Sequence, residues 1–360
     1  MKVEANSLRN GQHRVLLSRA FQEYVKGLLL VPVEVFAFNN WNRRKFEDGG
    51  GLHILGNQTL SSPKACAESV EKNGIDILYA QGFRSLLFFY RVKLHCRHTK
   101  PRIYVNCHYS PLWNNPLKSF LFVLASCLLS DGLVFIVGWM QRKWKWMTSI
   151  FGLRTFRVAN PVEIQRFPEI KKSCSNRVVI GCIGRVEPLK QQKILVDIVY
   201  ELRRQGFDVV ARIAGDAEDE NYVREIKDRI VELKMGDFIT FDPRIPYDDV
   251  PKWLLRLDIC VYPSLMEVMP FSVLEAMATG LPIVAYDTGG VCEEVREGIN
   301  GHLIRTNAIA EYVSAVADII SNGKWHDMSV ASRRLCETEF SFDEYASKMR
   351  VVFDGKVSIW

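Results

Sequence analysis

The chain has 360 residues, a length that suits two domains, and 48% are hydrophobic, so each half can bury a core. This composition excludes a disordered, collagen-like or other fibrous chain. The net charge of +6 hides an asymmetry, because residues 1–162 hold 22 Lys and Arg against 9 Asp and Glu, whereas residues 163–360 hold 25 against 32. The positive field of the first part should attract anions and anionic surfaces.

The N-terminal half predicts an α/β domain. Residues Met1 to Asn10 lack the pattern of a signal peptide. The predicted strands are a weak one near Lys2–Ala5, then Val33–Phe38, Ile75–Ala80 and Arg102–Cys107, with helical segments between them. Nine cysteines without a Cys-x-x-Cys spacing indicate reduced, core-packing thiols rather than a zinc site. We therefore expect a cytoplasmic protein, with a peripheral position at the inner face of a membrane as an alternative.

The segment Ser119–Met140 is apolar over about the length of a transmembrane helix. Ser130-Asp131-Gly132 interrupts it, and an aspartate at bilayer depth is costly. We predict a buried helix at Ser119–Leu129, a turn, and a buried strand at Leu133–Val137, with a membrane span as the minority alternative.

The C-terminal half alternates strands with helices, which predicts a parallel, doubly wound sheet. The strands are Val178–Ile183, Asp208–Ala214, Phe238–Phe241, Asp258–Tyr262 and Pro282–Tyr286. Four helices are predicted between these strands. One begins near Ile194 and stops at Gly206, and the second contains Val223. The third covers Asp248–Arg256, and the fourth covers Phe271–Thr279 and stops at Gly280.

Two carboxylates, Glu267 and Glu275, are separated by seven residues in the loop and helix that follow a strand. Between them, the stretch Met269, Pro270, Phe271 and Ser272 leads into a helix N-terminus, where the free amide groups (Pro270 has none) favour negative charge. The combination suits a sugar attached to a phosphate. The alternative is a capping box formed by Ser272 and Glu275, which needs no ligand.

A second cluster, Gly184-Arg185-Val-Glu-Pro-Leu-Lys190, directly follows a strand. Gly184 would allow a tight turn. Arg185 and Lys190 would then lie at the carboxyl end of the sheet, where α/β folds bind ligands. The alternative is a pair of solvated surface cations.

These motifs resemble the retaining glycosyltransferases of family 4, which have the GT-B fold. Thr288-Gly289-Gly290, Glu294 and Asn300-Gly301 resemble the family's continuation, and Gln191 replaces its usual glycine. The resemblance implies an α/β fold of two facing Rossmann-like, doubly wound domains with a cleft between them. It also implies that Glu267 contacts the donor sugar, Glu275 binds the ribose, and Arg185 and Lys190 hold the diphosphate.

The resemblance extends to less specific positions. His108 matches a histidine that lines the catalytic cleft, although a lone histidine is more often structural. Asn10-Gly11 matches a double-glycine loop on the acceptor side, with one glycine missing. Arg244 and Ile245 lie where the base is expected. The run from Asn160 to Pro168 resembles the interdomain segment, with Pro161 and Glu163 in place of a glycine and an aspartate.

The predicted organisation follows from these matches. Residues 1–158 form an acceptor-binding domain, 159–177 a linker, 178–338 the nucleotide-sugar domain, and 339–360 a helix that crosses back to the first domain. The predicted reaction moves a sugar from a nucleoside diphosphate sugar to an acceptor hydroxyl with retention. No Asp-x-Asp triplet is present, so no metal or other cofactor is expected, and the cations would carry the diphosphate charge.

Two alternatives stay open on the same scaffold. One is another enzyme, a sugar phosphorylase or nucleotide-sugar epimerase, because a fold does not fix function. The other is a non-catalytic scaffold subunit that binds donor only.

The segment Trp139–Trp146 interleaves tryptophans with cations, which favours an anionic membrane surface and a lipid-linked or glycan acceptor. Core tryptophans beside solvated cations explain it nearly as well, and no nucleic-acid module is visible.

Overall fold

The computed structural model describes residues 13–17, 33–38, 52–55, 62–107, 115–169, 177–306 and 308–354. The chain forms two compact units. One comprises Met1–Pro161 with Phe342–Trp360, and the other comprises Val162–Ser341. The second unit therefore begins inside the segment that the sequence assigned to a linker.

The first unit contains a seven-stranded parallel sheet in the order β3-β2-β1-β4-β5-β6-β7. Its strands are β1 His13–Leu17, β2 Val33–Phe38, β3 Leu52–Leu55, β4 Ile77–Gln81, β5 Arg102–Cys107, β6 Gly132–Phe135 and β7 Thr155–Arg157. Its described helices are α1 Pro63–Lys72, α2 Phe83–His95, α3 Pro116–Leu129, α4 Gly138–Ile150 and, from the end of the chain, α12 Phe342–Asp354.

Strand β1 was not predicted from the sequence. Lys2–Ala5 lies outside the described residues, and the strand between β2 and β4 is β1, at His13–Leu17. Strand β1 is difficult to predict from the sequence because its first two residues are polar. Parallel pairing with β2 and β4 and two contacts of Arg14 stabilise it in the fold. The Arg14 amide donates to Asp76 Oδ1 at 2.6 Å, and its guanidinium donates to the Asn73 carbonyl at 2.7 Å. Tertiary contacts thus override a weak local pattern.

The apolar segment Ser119–Met140 divides as predicted. Helix α3 ends at Leu129, β6 begins at Gly132, and Asp131 in the turn accepts the Ile103 amide at 2.8 Å and pairs with Lys93 at 2.9 Å. Across the described part of the chain, none of the helices has the length and apolarity that a membrane crossing requires.

The second unit contains a six-stranded parallel sheet in the order β10-β9-β8-β11-β12-β13. The strands are β8 Val178–Ile183, β9 Val209–Ala214, β10 Ile239–Asp242, β11 Ile259–Tyr262, β12 Ile283–Tyr286 and β13 Gly301–Ile304. The helices are α5 Ile194–Arg204, α6 Glu220–Glu232, α7 Val250–Leu254, α8 Phe271–Thr279, α9 Val291–Glu294, α10 Ile309–Ser321 and α11 Trp325–Glu339. Short 3₁₀ turns cover Ile164–Arg166, Pro188–Lys190 and Tyr247–Asp249.

Both sheets have the order of dinucleotide-binding folds, with the first three strands reversed relative to the rest. The predicted α/β class with two Rossmann-like sheets is therefore confirmed. In the second sheet, the order reverses between β8 and β11, and loops after these two strands carry Lys190 and Glu267. Ligands of open α/β sheets bind at such a reversal, beyond the carboxyl ends of the strands.

Candidate functional site

The two loops at this reversal are held together before any ligand is considered. The Leu265 amide, after β11, donates to the Leu189 carbonyl at 2.9 Å. The Thr288 hydroxyl, after β12, donates to the Leu265 carbonyl at 2.9 Å. The carboxyl ends of β8, β11 and β12 therefore form one connected edge in the second unit.

Lys190 and Glu267 meet at this edge as an ion pair between Nζ and Oε1. Their side chains are 19% and 13% exposed, so the pair is largely shielded from water. Exposed ion pairs contribute little, but a shielded pair depends on both partners because losing one leaves a charge in a poorly solvated place. The pair brings together a predicted diphosphate cation and the predicted sugar carboxylate.

Arg185 lies on the same loop, but its side chain is 59% exposed and its guanidinium turns to Glu187 at 2.9 Å. Its backbone carbonyl accepts from Gln192 Nε2 at 2.7 Å, which fixes the loop while the guanidinium remains at the surface. Arg185 is therefore accessible to an anion, though it lies in a surface ion pair in this structure.

The glycine requirement lies at a different residue from the one predicted. Gly184 has no positive φ and has open space where a Cβ would stand. Gly215, after β9, has φ +156°, and a Cβ there would stand 1.7 Å from the Gly184 carbonyl oxygen. The tight approach of the two loops thus requires glycine at 215.

The helix that follows Glu267 is not closed by a capping box. Helix α8 begins at Phe271, and its N-cap residue is Pro270, so Ser272 lies inside the first turn and is not the cap. No side chain accepts a hydrogen bond from the backbone at this cap. The Tyr262 hydroxyl, at the end of β11, donates to the Ser272 carbonyl at 2.7 Å. Burial raises the pKa of Tyr262 well above its usual value, so this hydroxyl keeps its proton. The first turn of α8 is thereby tied to the sheet, with Met269 buried beneath it.

Glu275 carries the second carboxylate, one turn into α8, and it pairs with a residue that received no role from the sequence. Arg166 Nη1 lies 3.6 Å from Glu275 Oε1, and the two side chains are 14% and 17% exposed. Each carboxylate of the Glu267–Glu275 motif therefore has a cation beside it.

The loop after β10 carries the residues predicted to lie near a base. Arg244 is mostly exposed and pairs with Asp216 at 3.2 Å, while Ile245 is half-buried. Asp242 holds the loop from below, because it accepts from Arg212 at 2.7 Å and from the Trp253 indole at 2.8 Å. The loop thus has a fixed base and a solvent-facing tip.

Glu294, on α9, is a buried carboxyl with neither side-chain oxygen hydrogen-bonded among the described residues. Burial raises its pKa well above the usual value, and the negative charges of Glu267 and Glu293 raise it further. Burial and these neighbouring charges therefore both favour the protonated, uncharged form of the Glu294 carboxyl.

Three predicted residues lie outside the described part of the chain: His108, Asn10 and Gly11. The acceptor-side role expected of Asn10-Gly11 and the cleft position expected of His108 therefore stay predictions.

The second unit is similar to a known protein family. Residues 163–334 match the family model described as "Glycosyl transferases group 1". The match covers the whole edge described above, from Arg166 through Lys190 and Glu267 to Glu294.

Curated proteins are similar to part of the chain. The chain is 28% identical over 144 residues to 2-deoxystreptamine glucosyltransferase of Streptomyces kanamyceticus, covering 40% of this chain and 36% of that protein. It is 33% identical over 142 residues to the lipopolysaccharide core biosynthesis mannosyltransferase LpsB of Rhizobium meliloti, covering 38% and 40%. The chain thus spans less than half the length of these two relatives.

A solved structure is similar over almost the whole chain. The Anabaena HepE structure in complex with UDP-glucose aligns with a TM-score of 0.71 and 18% identity, covering 96% of this chain and 99% of that one. At this identity the similarity establishes the fold, which is GT-B.

A second surface stands out in the first unit, on helices α2, α3 and α4. Helix α3 packs against both α2 and α4, and the sequential parallel order of β4 to β7 places all three helices on one face of the sheet. We name the outward side of these three helices the helical face. Its composition is unusual in two respects.

The first is its apolar content. Of the fourteen large apolar side chains exposed in the described part of the chain, nine lie between Phe83 and Phe151. Four follow the outward side of α3, namely Leu117, Phe120, Leu121 and Leu128. The inward side of α3 holds Ser119, Phe122, Val123 and Ser126. The usual arrangement, with large apolar residues inward, is thus partly inverted.

The second is its charge. Helices α2, α3 and α4 contain no Asp or Glu, and exposed cations lie on each of them, among them Arg84, Lys118 and Lys143. The tryptophans of Trp139–Trp146 divide between core and surface: Trp144 is 6% exposed and Trp146 is 55% exposed. The interpretation as core tryptophans therefore holds for Trp144 and fails for Trp146.

Proposed function

We propose that this protein is a retaining glycosyltransferase of the family 4 type, acting in glycan, glycolipid or cell-surface polysaccharide synthesis. It would transfer a sugar from a nucleoside diphosphate sugar to an acceptor hydroxyl. One observation carries the proposal: at the strand-order reversal, Glu267 and Glu275 are fixed by the cations Lys190 and Arg166. The match of residues 163–334 to group 1 glycosyltransferases supports it.

The proposed roles follow from the chemistry of each side chain. Glu267 accepts hydrogen bonds from donor-sugar hydroxyls, and Glu275 from the ribose hydroxyls. Lys190 and Arg185 stabilise the charge that grows on the diphosphate as the bond from C1 to the phosphate oxygen breaks. Arg185 would leave Glu187 to do so. The HepE structure contains UDP-glucose, which supports a nucleotide sugar as donor here.

In the proposed reaction the acceptor oxygen forms a bond to C1 on the face from which the nucleoside diphosphate departs. The acceptor's proton passes to the departing phosphate oxygen, so no protein nucleophile is needed and the configuration at C1 is retained. Metal-independence is part of the proposal, because Arg185 and Lys190 supply positive charge where a divalent ion would otherwise be needed. His108 is proposed to line the acceptor side.

Thermal-shift titration with UDP, GDP and ADP tests the donor site directly. A ligand that binds only the native state raises its stability, by roughly 2.7 kcal/mol at about 100 times the dissociation constant. We expect one nucleotide to stabilise the wild type, and Arg185→Ala and Glu275→Ala to lose most of that effect while remaining folded. If no nucleotide stabilises the folded wild type, the donor assignment is wrong.

The reaction type is tested with the nucleotide sugar whose nucleotide binds. Nuclear magnetic resonance of the glycoside product should show the anomeric configuration of the donor, and activity should persist in EDTA. Turnover that needs phosphate and no nucleotide would identify a phosphorylase, and conversion of the donor without acceptor an epimerase. Donor binding without turnover on any acceptor would identify a scaffold subunit.

We further propose that the helical face binds an anionic membrane surface, from the cytoplasmic side. The free, mostly buried thiols of the described residues support a reducing compartment. Exposed cations on helices that themselves contain no Asp or Glu attract anionic headgroups, and the apolar stripe of α3 with Trp146 suits the bilayer interface. Lipid-linked acceptors would be presented to the enzyme there.

Co-sedimentation with lipid vesicles tests the proposed membrane binding. One set of vesicles contains phosphatidylcholine alone, and the other also contains roughly 30% phosphatidylglycerol, an anionic lipid that makes the surface negative. We expect binding that needs the anionic lipid and weakens in high salt. Equal binding to both vesicle types, or none, contradicts the proposal.

A further inference from the structure

Arg166 connects two parts of the second unit that are far apart in sequence. It ends the 3₁₀ turn Ile164–Arg166, and its side chain is 14% exposed. Its guanidinium pairs with Glu275 at 3.6 Å, donates from Nη2 to the Tyr247 backbone carbonyl, and lies 3.3 Å from the centroid of the Tyr247 ring. A segment that resembles a plain linker thus places a cation between α8 and the loop after β10.

The two partners of Arg166 belong to different parts of the proposed nucleotide site. Glu275 is the proposed ribose carboxylate. Tyr247 begins the 3₁₀ turn that closes the loop containing Arg244 and Ile245, where the base is expected. A guanidinium is planar, so it can pair with a carboxylate along its edge and stack on an aromatic ring with its face. An ammonium group is a point charge and does not combine these contacts.

From this geometry we propose that Arg166 is the positioning residue of the nucleotide site. It aims the Glu275 carboxylate at the ribose hydroxyls and fixes the Tyr247 turn, so that the ribose and base parts of the site are set together by one side chain. The inference rests on the proposed function, since it takes Glu275 as the ribose ligand. Arg166 itself is not assigned a contact with the nucleotide.

The structure provides a matched control in Arg333, on α11. Its guanidinium donates to the Phe167 carbonyl at 2.6 Å and also to the Ala278 carbonyl. It therefore anchors the same segment, one residue after Arg166, to the end of α8. Its described partners do not include Glu275 or Tyr247. A general loosening of the segment should appear in Arg333→Ala, whereas loss of positioning should appear only at Arg166.

The test measures the dissociation constants of UDP, GDP and ADP by calorimetry, using the full chain and the nucleotide that the wild type binds. For Arg166→Ala we expect affinity to fall about tenfold, the size found for directly coupled pairs, and for Arg333→Ala less than about twofold. Arg166→Lys keeps the charge and loses the stacking, so it should fall between wild type and Arg166→Ala. Circular dichroism melting confirms that each variant is folded, and Arg166→Lys serves if Arg166→Ala is not.

A double-mutant cycle separates positioning from mere stability. If Arg166 acts through Glu275, adding Arg166→Ala to Glu275→Ala should cost no more than about threefold further affinity, because the two changes remove one function. Full additivity, or wild-type affinity in folded Arg166→Ala, overturns the inference. If the folded wild type binds none of the three nucleotides, the proposed function itself fails, and that result is distinct from the other two.

Discussion

The two units have sheets with the same strand reversal, but their charges are arranged in opposite ways. In the second unit, the carboxylates at the edge of the sheet are matched to cations, as in Lys190–Glu267 and Arg166–Glu275. In the first unit, helices α2 to α4 have cations without any acid and expose large apolar side chains. The first arrangement suits a small polyhydroxyl anion, and the second suits an extended anionic surface. The two proposals therefore assign a different kind of recognition to each unit, and the following variants test each separately.

The largest effect should come from the ion pair in the second unit. Lys190→Ala removes a cation proposed to stabilise the leaving diphosphate and leaves Glu267 without that neighbour in a shielded place. We expect kcat/KM for sugar transfer to fall by about 100-fold or more, as for loss of an oxyanion donor. The measurement is steady-state turnover of the nucleotide sugar.

Lys193 provides the control, three residues further on. It pairs with Glu225 at 3.0 Å, with side chains 41% and 57% exposed. Because exposed pairs contribute little, Lys193→Ala should change kcat/KM by less than about twofold. Equal losses for both lysines would indicate a general effect of positive charge and contradict a specific role for Lys190.

The first unit should respond to apolar changes on α3. Phe120→Ser with Leu121→Ser should weaken binding to anionic vesicles by about tenfold, since complete burial of a large apolar side chain contributes roughly 1.5–3 kcal/mol. Nucleotide binding should not change. Val231→Ser, on the outer side of α6 in the second unit, is the control, because Val231 is 76% exposed and lies away from the helical face in sequence. Similar losses for both variants would contradict a specific membrane face.

Glu294 should make the stability of the folded protein depend on pH, because it is a buried carboxyl in the second unit. Its pKa is raised in the folded protein, so the folded state keeps a proton that the unfolded state releases above about pH 4.5. The stabilisation is therefore complete below that pH and declines as pH rises toward the folded-state pKa. Glu294→Gln removes this dependence. We expect its melting temperature to exceed that of the wild type by more at pH 8 than at pH 5.

If the melting temperature of wild type and that of Glu294→Gln differed by the same amount at pH 5 and at pH 8, Glu294 would be ionised in the folded protein. The buried carboxyl would then be a charge in the site, and the pairing of carboxylates with cations in the second unit would be incomplete.

The fold could be predicted where the local pattern and the tertiary environment agree. The strands β2, β5 and β8 and helix α8 have the predicted bounds, because runs of apolar residues and a glycine stop specify them without help. Strand β1 could not be placed, since its first two residues are polar and its position depends on pairing with β2 and β4 and on contacts of Arg14 with residues about 60 positions away.

The site shows the same division. Glu267, Glu275 and Lys190 follow from the motifs and their positions after strands. Arg166 does not, because its partners lie 81 and 109 residues further along the chain and no local pattern links them. The exposed stripe of α3 was also missed, since an apolar run predicts burial and only the fold shows which side of the helix remains exposed.

The smallest expected effect concerns Gln191, at the position where the family resemblance implies a glycine. Gln191 ends the 3₁₀ turn Pro188–Lys190 with φ +52°, in the left-handed region that costs a residue with a side chain roughly 1–2 kcal/mol. Glycine adopts this conformation freely but loses more backbone entropy on folding. The two effects partly offset, so Gln191→Gly should raise the free energy of unfolding by about 0.5–1 kcal/mol, with Gln205→Gly, after α5 at φ −83°, as a control that should destabilise. Urea denaturation measures both. Because Gln191 adjoins Lys190, unchanged kcat/KM together with higher stability would show that the conformation of this turn, rather than the glutamine side chain, positions the lysine against Glu267.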